Sequence, residues 1–199
     1  MEDVIWATPL YKFLRECNTS PLRKVVLDCG AGGDRPPLAL FYQHGYKTYG
    51  IEIDEEPLAE AKRFCEENHM PLNICRGDMR RIPFTDESFS FVYSYNSIDF
   101  MTKPDIAIAM DEIERVLKPN GLCYVNFLSV DDPLRGPFSE TAPIRRLLRS
   151  EGFSHYEDDE ADGYFQNFEI VRKEKRLIDK LYSGERLKQA DVEYIARKR

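Results

Sequence analysis

Residues 25–34 read Val25-Val26-Leu27-Asp28-Cys29-Gly30-Ala31-Gly32-Gly33-Asp34, and they constrain the fold more than any other stretch. Three apolar residues make a short buried strand. An acid and a glycine-rich turn follow at once, and Pro36-Pro37 then opens a helical run, Leu38-Ala39-Leu40-Phe41-Tyr42. Strand, glycine turn and helix in that order form the first half of a nucleotide-binding βαβ unit. The glycines permit a tight turn and let a ligand approach bare backbone. The helix start offers unpaired N–H groups to an anionic or polar ligand. Taken alone, such a turn is equally an ordinary tight turn. The next strand, Lys47-Thr48-Tyr49-Gly50-Ile51-Glu52, favours the nucleotide reading, because its closing acid stands 20 residues after Gly32. That is where a nucleotide-binding βαβ unit places the carboxylate that accepts hydrogen bonds from ribose hydroxyls. A third acid, Asp78, follows a third strand in Cys75-Arg76-Gly77-Asp78-Met79.

Strand and helix patterns alternate along the chain. Residues 4–17 carry Ile5, Leu10, Phe13 and Leu14 at roughly helical spacing, interrupted by Pro9. Residues 55–69 predict a helix with Glu55 and Glu56 at its positive end and Leu58, Ala61, Phe64 and Cys65 inward. Strands are expected at 72–75, 89–94 and 122–128, the last apolar enough for a sheet covered on both faces. A helix over 104–117 turns Ile106, Ile108, Ala109, Ile113 and Val116 inward. Asp54 reads as a helix N-cap and Asp86 as a turn residue. Loop signals fill 129–143, a helix is expected over 144–148 and another over 157–165, and strands begin at 168 and 191. Alternation of this kind predicts an α/β fold with a parallel, doubly wound sheet.

The chain has 199 residues, 42% of them hydrophobic, which suits one domain with a proper core. A net charge of −7 does not advertise nucleic-acid or anionic-membrane binding. Residues 171–199 are basic, as a solvated edge strand protected by lysines is; an RNA-binding tail is the lesser alternative. Cys17, Cys29, Cys65, Cys75 and Cys123 form no C-x-x-C pair, so no metal site is expected. Cys29, Cys75 and Cys123 fall in or beside buried strands as small apolar fillers, in keeping with a reducing, cytoplasmic setting. No apolar run has the length of a membrane span, and the acidic start has no look of a signal peptide.

Asp28-Cys29-Gly30-Ala31-Gly32, Gly50-Ile51-Glu52-Ile53-Asp54, Gly77-Asp78-Met79, Ile82-Pro83-Phe84 with Ser88-Phe89-Ser90-Phe91-Val92, and Val116-Leu117-Lys118-Pro119-Asn120-Gly121 together resemble the class I S-adenosylmethionine-dependent methyltransferases. Five motifs in this order are far more specific than any one alone, and they cover residues 24–128. The resemblance implies a Rossmann-like, seven-stranded, mostly parallel sheet with a C-terminal antiparallel hairpin. It divides one domain, residues 1–199, into a leading helix or lid (1–23), a cofactor-binding core (24–128), a substrate-covering segment (129–156), and a last helix and hairpin (157–199). The implied cofactor is S-adenosylmethionine. Gly30, Ala31 and Gly32 would approach its methionyl part, with Asp28 orienting that loop. Glu52 would hold the ribose hydroxyls and Ile53 pack on adenine. Asp78 would accept from the adenine amino group, Met79 cover the ring, and Ser94 and Tyr95 line the methionine carboxylate and sulfonium. Trp6 and Tyr11 on the leading helix would either touch substrate or pack onto the core. One departure is Asp34, which stands where the family pattern has glycine and is free to cap the following helix.

The implied reaction is in-line methyl transfer to a small-molecule acceptor. Alignment and desolvation carry much of such a rate, and the motifs name no obligatory catalytic side chain. A hydroxyl or carbon acid acceptor needs a base, for which Tyr95, Asp99 and His155 are the candidates. Residues 96–100, Asn96-Ser97-Ile98-Asp99-Phe100, lack the Asn/Asp-Pro-Pro-Tyr/Phe pattern of enzymes that methylate nucleic-acid amino groups. Two other functions compete. A nicotinamide-dependent oxidoreductase shares the turn and Glu52 but needs a G-x-G-x-x-G loop, which Gly30-Ala31-Gly32-Gly33-Asp34-Arg35 is not. A non-catalytic S-adenosylmethionine-binding module keeps the motifs without a base.

Overall fold

The computed structural model describes residues 7–132, 154–182 and 185–199. Trp6, residues 133–153 with the helix expected at 144–148, and residues 183–184 lie outside them. A sheet runs in the order β3-β2-β1-β4-β5-β8-β7. Its strands are β1 (Val25–Cys29), β2 (Lys47–Glu52), β3 (Ile74–Arg76), β4 (Phe89–Ser94), β5 (Leu117–Ser129), β7 (Phe168–Tyr182) and β8 (Glu185–Lys198). β1 to β5 pair in parallel, and β8 returns antiparallel to β5 and to β7. An eighth short strand, β6 (His155–Tyr156), pairs with Leu128 and Ser129 beyond the point where β4 stops. The order reverses between β1 and β4, and doubly wound sheets hold their ligands outside the strand tips at such a switch.

Two apolar layers sandwich this sheet. Helix α1 (Thr8–Thr19) and helix α2 (Leu38–Gln43) cover one face, where Leu10, Phe13, Phe41, Tyr93 and Tyr124 are buried. Phe13 touches Phe41, Tyr93 and Tyr124 with ring centroids about 6 Å apart. Helix α4 (Lys103–Val116) covers the other face over Leu27, Ile51, Val92 and Phe127. Helix α3 (Glu55–Glu67) buries Leu58 and Ala61. None of the described helices is long and apolar enough to cross a membrane.

Several expectations shift. Pro9 does not interrupt α1. It sits in the helix's first turn, where its missing N–H has no partner to lose. In α4 the buried residues are Ile106, Ala109, Met110, Ile113 and Val116, spaced by three and four; Ile108 falls off that stripe and is 48% exposed. β3 starts two residues late and is the sheet's edge, so Cys75 is exposed rather than a core filler. Within 157–165 only Glu160–Phe165 is helical, as a 3-10 turn. β5 begins at Leu117, pairs with Phe89, and resumes pairing at Leu122. The β7–β8 hairpin is longer than foreseen. β5 supports β8 only from Asp191 to Arg197, so pairs from Leu177↔Ala190 to Tyr182↔Glu185 form a two-stranded ribbon, on which Leu177 and Leu181 are 70% and 75% exposed.

Candidate active site

The glycine turn is pinned to β2 by backbone. The N–H groups of Gly30 and Ala31 both donate to the Ile51 carbonyl at 2.9 and 3.0 Å, and Gly33 N–H donates to the Pro57 carbonyl at 2.9 Å. Gly30 has φ +98°, and a Cβ there would lie 2.2 Å from Ser97 Oγ. At Gly32 a Cβ would meet Pro57 and the Glu52 carboxylate, 2.5 and 2.6 Å away. At these two positions the space a Cβ would need is taken by the chain's own side chains, so glycine is required there for packing. Gly33, φ +96°, faces open space. Asp34 does not cap the next helix, whose N-cap position is Pro37.

Glu52 closes β2 and ties the turn to α3. One carboxylate oxygen accepts from Gly32 N–H and the other from Asp54 N–H, both at 3.0 Å. Each oxygen accepts one bond of the two its lone pairs allow. Asp54 stands at the N-cap of α3, but its side chain makes no capping bond. Beside it Ile53 leaves 46% of its surface exposed, an apolar platform at the strand tip. Asp78 is engaged by its neighbour: Arg80 donates through its backbone N–H and its guanidinium, at 2.7 to 3.1 Å, and holds the carboxyl below the usual carboxylate range. Met79 packs partly buried against the α4-side core. Asp28 is 1% exposed. Burial pushes its pKa up to about 8, tempered by the Tyr93 hydroxyl and raised further by Glu52. Tyr93 is close enough to act on it, yet neither Asp28 Oδ2 nor the Tyr93 hydroxyl reaches hydrogen-bonding geometry with any partner. Ser94 at the tip of β4 is buried, and its Oγ is also without a partner.

The three candidate bases gather at the tips of β4 and β5. Tyr95 is half-buried beside Arg176 and Asn96, its ring 6.2 Å from that of Tyr124, and burial raises its pKa. Asp99 lies on a 3-10 turn, Ile98–Phe100, and its Oδ1 accepts from Leu128 N–H at 2.9 Å. Burial, then Asp191 and Asp132, push its proton affinity well up. His155 pairs in register with the same Leu128 from β6. Among the described residues, no cluster of histidine, cysteine or carboxylate is spaced to hold a metal ion.

Sequence reasoning missed the rest of this end. Asn126 on β5 exchanges two hydrogen bonds with Asn96: it accepts from the Asn96 N–H and donates to the Asn96 side-chain oxygen, each at 2.8 Å. Asp132, Asp191 and Glu193 are buried beside them. Asn126 was visible as the one polar residue in an apolar strand. Asp191 and Glu193 alternate with Val192 and Tyr194 as a solvated strand face does, and only the tertiary fold turns that face inward.

A family model described as a methyltransferase domain matches residues 27–125. The chain is 30% identical over 158 residues to the 2-methyl-6-phytyl-1,4-hydroquinone methyltransferase of Synechocystis sp., a stretch covering 77% of this chain and 48% of that protein. In structure it resembles TehB from Haemophilus influenzae, with a TM-score of 0.73 at 15% identity, covering 95% of this chain and 62% of the other. It also resembles the 1,6-didemethyltoxoflavin-N1-methyltransferase of Burkholderia thailandensis, whose structure holds 1,6-didemethyltoxoflavin and S-adenosylhomocysteine. There the TM-score is 0.68 at 14% identity, covering 96% and 76% of the two chains. At these identities the structural likeness is one of fold. The chain spans 26% to 60% of the length of the curated relatives it matches. With the ordered motifs, the sheet order and the family match in agreement, the chain belongs to the class I S-adenosylmethionine-dependent methyltransferases.

Proposed function

We propose that this chain, working as one domain, transfers a methyl group from S-adenosylmethionine to a small-molecule acceptor held at the tips of β4 and β5. The observation that carries this reading is Glu52, whose carboxylate is fixed by the Gly32 and Asp54 N–H groups at a strand tip beside exposed Ile53. An acid so held, with lone pairs to spare, fits the two hydroxyls of a ribose, and Ile53 fits the face of a purine. Asp78 and Met79 would meet the adenine, although Asp78 must share its oxygens with Arg80. Ser94 and Tyr95 would line the methionine end, next to the turn made by Gly30, Ala31 and Gly32. Buried Asp28 supports that turn from beneath.

The cofactor supplies an electrophilic methyl group, so the chain's part is to align the acceptor and exclude water. Tyr95, Asp99 and His155 stand at the strand tips as the candidate bases for an acceptor that must lose a proton, with burial raising the proton affinity of Tyr95 and Asp99. A small acceptor agrees with the substrate named for the Burkholderia protein. The five free cysteines suit a reducing cytosol.

Calorimetry with S-adenosylhomocysteine tests the cofactor reading. Glu52→Ala should weaken binding by about 1–3 kcal/mol through the loss of charge-assisted hydrogen bonds. Unchanged affinity in a folded variant removes the ribose role, and saturable NAD binding without S-adenosylhomocysteine binding reverses the assignment.

A further inference from the structure

Resting on the methyl-transfer reading above, we infer that Asn126 is a positioning residue of the active site: through the Asn96 amide it turns the Tyr95 hydroxyl outward as a hydrogen-bond donor to the cofactor's carboxylate. Contacts in series carry this. Asn126 stands on β5 with 1% of its surface exposed, inside the apolar run from Leu122 to Leu128. An amide buried there costs free energy unless its polar atoms find partners. Both find them on one residue 30 positions back. Asn126 Oδ1 accepts from the Asn96 backbone N–H, and Asn126 Nδ2 donates to Asn96 Oδ1, each at 2.8 Å.

The first bond fixes the sense of the rest. A backbone N–H can only donate, so the Asn126 atom facing it is the oxygen. The Asn126 nitrogen can only donate in turn, so the Asn96 atom it meets is again the oxygen. The Asn96 nitrogen is left on the other branch of its amide, and the Asn96 side chain acts as a donor on the Tyr95 hydroxyl. Burial raises the proton affinity of Tyr95, while Arg176 and then Asn96 pull it the other way, as donors to its oxygen do. A phenol oxygen that accepts from such donors has its own O–H turned away from them. Tyr95 therefore meets a ligand as a donor, and a carboxylate, which only accepts, is the matching group.

The backbone of this span is held in a form few residues adopt. Asn96 has φ +53°, in the left-handed region that asparagine tolerates better than most. Ser97 Oγ donates to the Tyr95 carbonyl at 3.1 Å and seats against Gly30, so the span that carries Tyr95 abuts the glycine turn. Removing Asn126 takes away both bonds that tie Asn96 to β5.

The test uses the whole chain and two ligands in calorimetry, S-adenosylhomocysteine and its decarboxylated analogue. Tyr95→Phe should weaken S-adenosylhomocysteine about three- to tenfold and leave affinity for the analogue unchanged. Asn126→Ala should weaken S-adenosylhomocysteine severalfold, again sparing the analogue, and should add nothing in the Tyr95→Phe background. Asn126→Thr, which suits a strand and is too short to reach the Asn96 side chain, takes its place if the alanine variant fails to fold. Fluorotyrosine labelling reads the relay without any ligand. The fluorine signal lost in Tyr95→Phe should titrate at higher pH in Asn126→Ala and in Asn96→Gly than in the wild type. Arg176 on β7, Asp191 on β8 and Tyr124 on β5 also face Tyr95, and all three are retained in these variants. Additive losses, equal losses with the analogue, an unmoved fluorine titration, or unaltered S-adenosylhomocysteine affinity in folded Asn126→Ala would each overturn the inference. A wild-type chain that binds neither ligand strikes instead at the methyl-transfer reading, and the fluorine titration then decides the relay by itself.

Discussion

The two ends of the strand-tip crevice are built on opposite terms. At the tips of β1 and β2 the bonds that shape the turn are local: Glu52 takes two backbone N–H groups, and the turn donates to Ile51 and Pro57, while Asp28 Oδ2 beneath it has no partner. At the tips of β4 and β5, side chains from distant parts of the chain converge, and Asp191 Oδ1 and the Tyr124 hydroxyl are left without partners. The first end is held by contacts close in sequence around one turn, and the second by contacts between segments far apart in sequence.

Buried acids sharpen this contrast most. The folded chain keeps the proton of Asp28 up to about pH 8, while the unfolded chain releases it near 3.8. A raised carboxyl adds stability that is complete below the unfolded value and is lost as pH climbs through the folded one. The loss amounts to several kcal/mol on the order of one kcal/mol or more per pH unit. Asp191, raised to about 6, loses less and stops losing sooner. Urea unfolding across this range should show Asp28→Asn flattening the slope up to about 8 and Asp191→Asn only its acid part; equal effects would erase the distinction.

The turn offers the next largest effect. Gly30→Ala must adopt positive φ and collide with Ser97, costing about 3 kcal/mol. Gly33→Ala shares the φ but meets nothing, and should cost about 1–2 kcal/mol. Equal losses in denaturation would mean that the Ser97 contact is dispensable. The smallest effect belongs to Arg80→Ala. Its ion pair with Asp78 has 40% and 33% of the two side chains exposed, so stability should change by at most about 1 kcal/mol. If freeing Asp78 tightens S-adenosylhomocysteine severalfold in calorimetry, Arg80 competes with adenine; if affinity falls, Arg80 positions the acid.

The first end was legible in the sequence because its logic is short-range. Gly32 and Glu52 are 20 residues apart and in contact, so a spacing rule finds them. The strand order follows from the same alternation of strand and helix. The second end joins Asn96 to Asn126 and Asp132 to Ala190, 30 and 58 residues apart, and no local pattern announces such pairs. Ile108 and Pro9 depart from expectation for a different reason: the angle a residue occupies on its helix decides whether it is buried, and a proline's distance from the helix start decides whether it interrupts.

The seating of Ser97 against Gly30 has a thermodynamic corollary. One short span, 95–99, braces both halves of the crevice, so an occupant that displaces it on one side alters the geometry offered on the other. Linkage then makes the influence mutual: by whatever factor a filled nucleotide side changes the grip on the second ligand, that ligand changes retention of the nucleotide equally. The reciprocity concerns affinities alone, and the point through which it would act is the Ser97 hydroxyl seated where Gly30 has no Cβ.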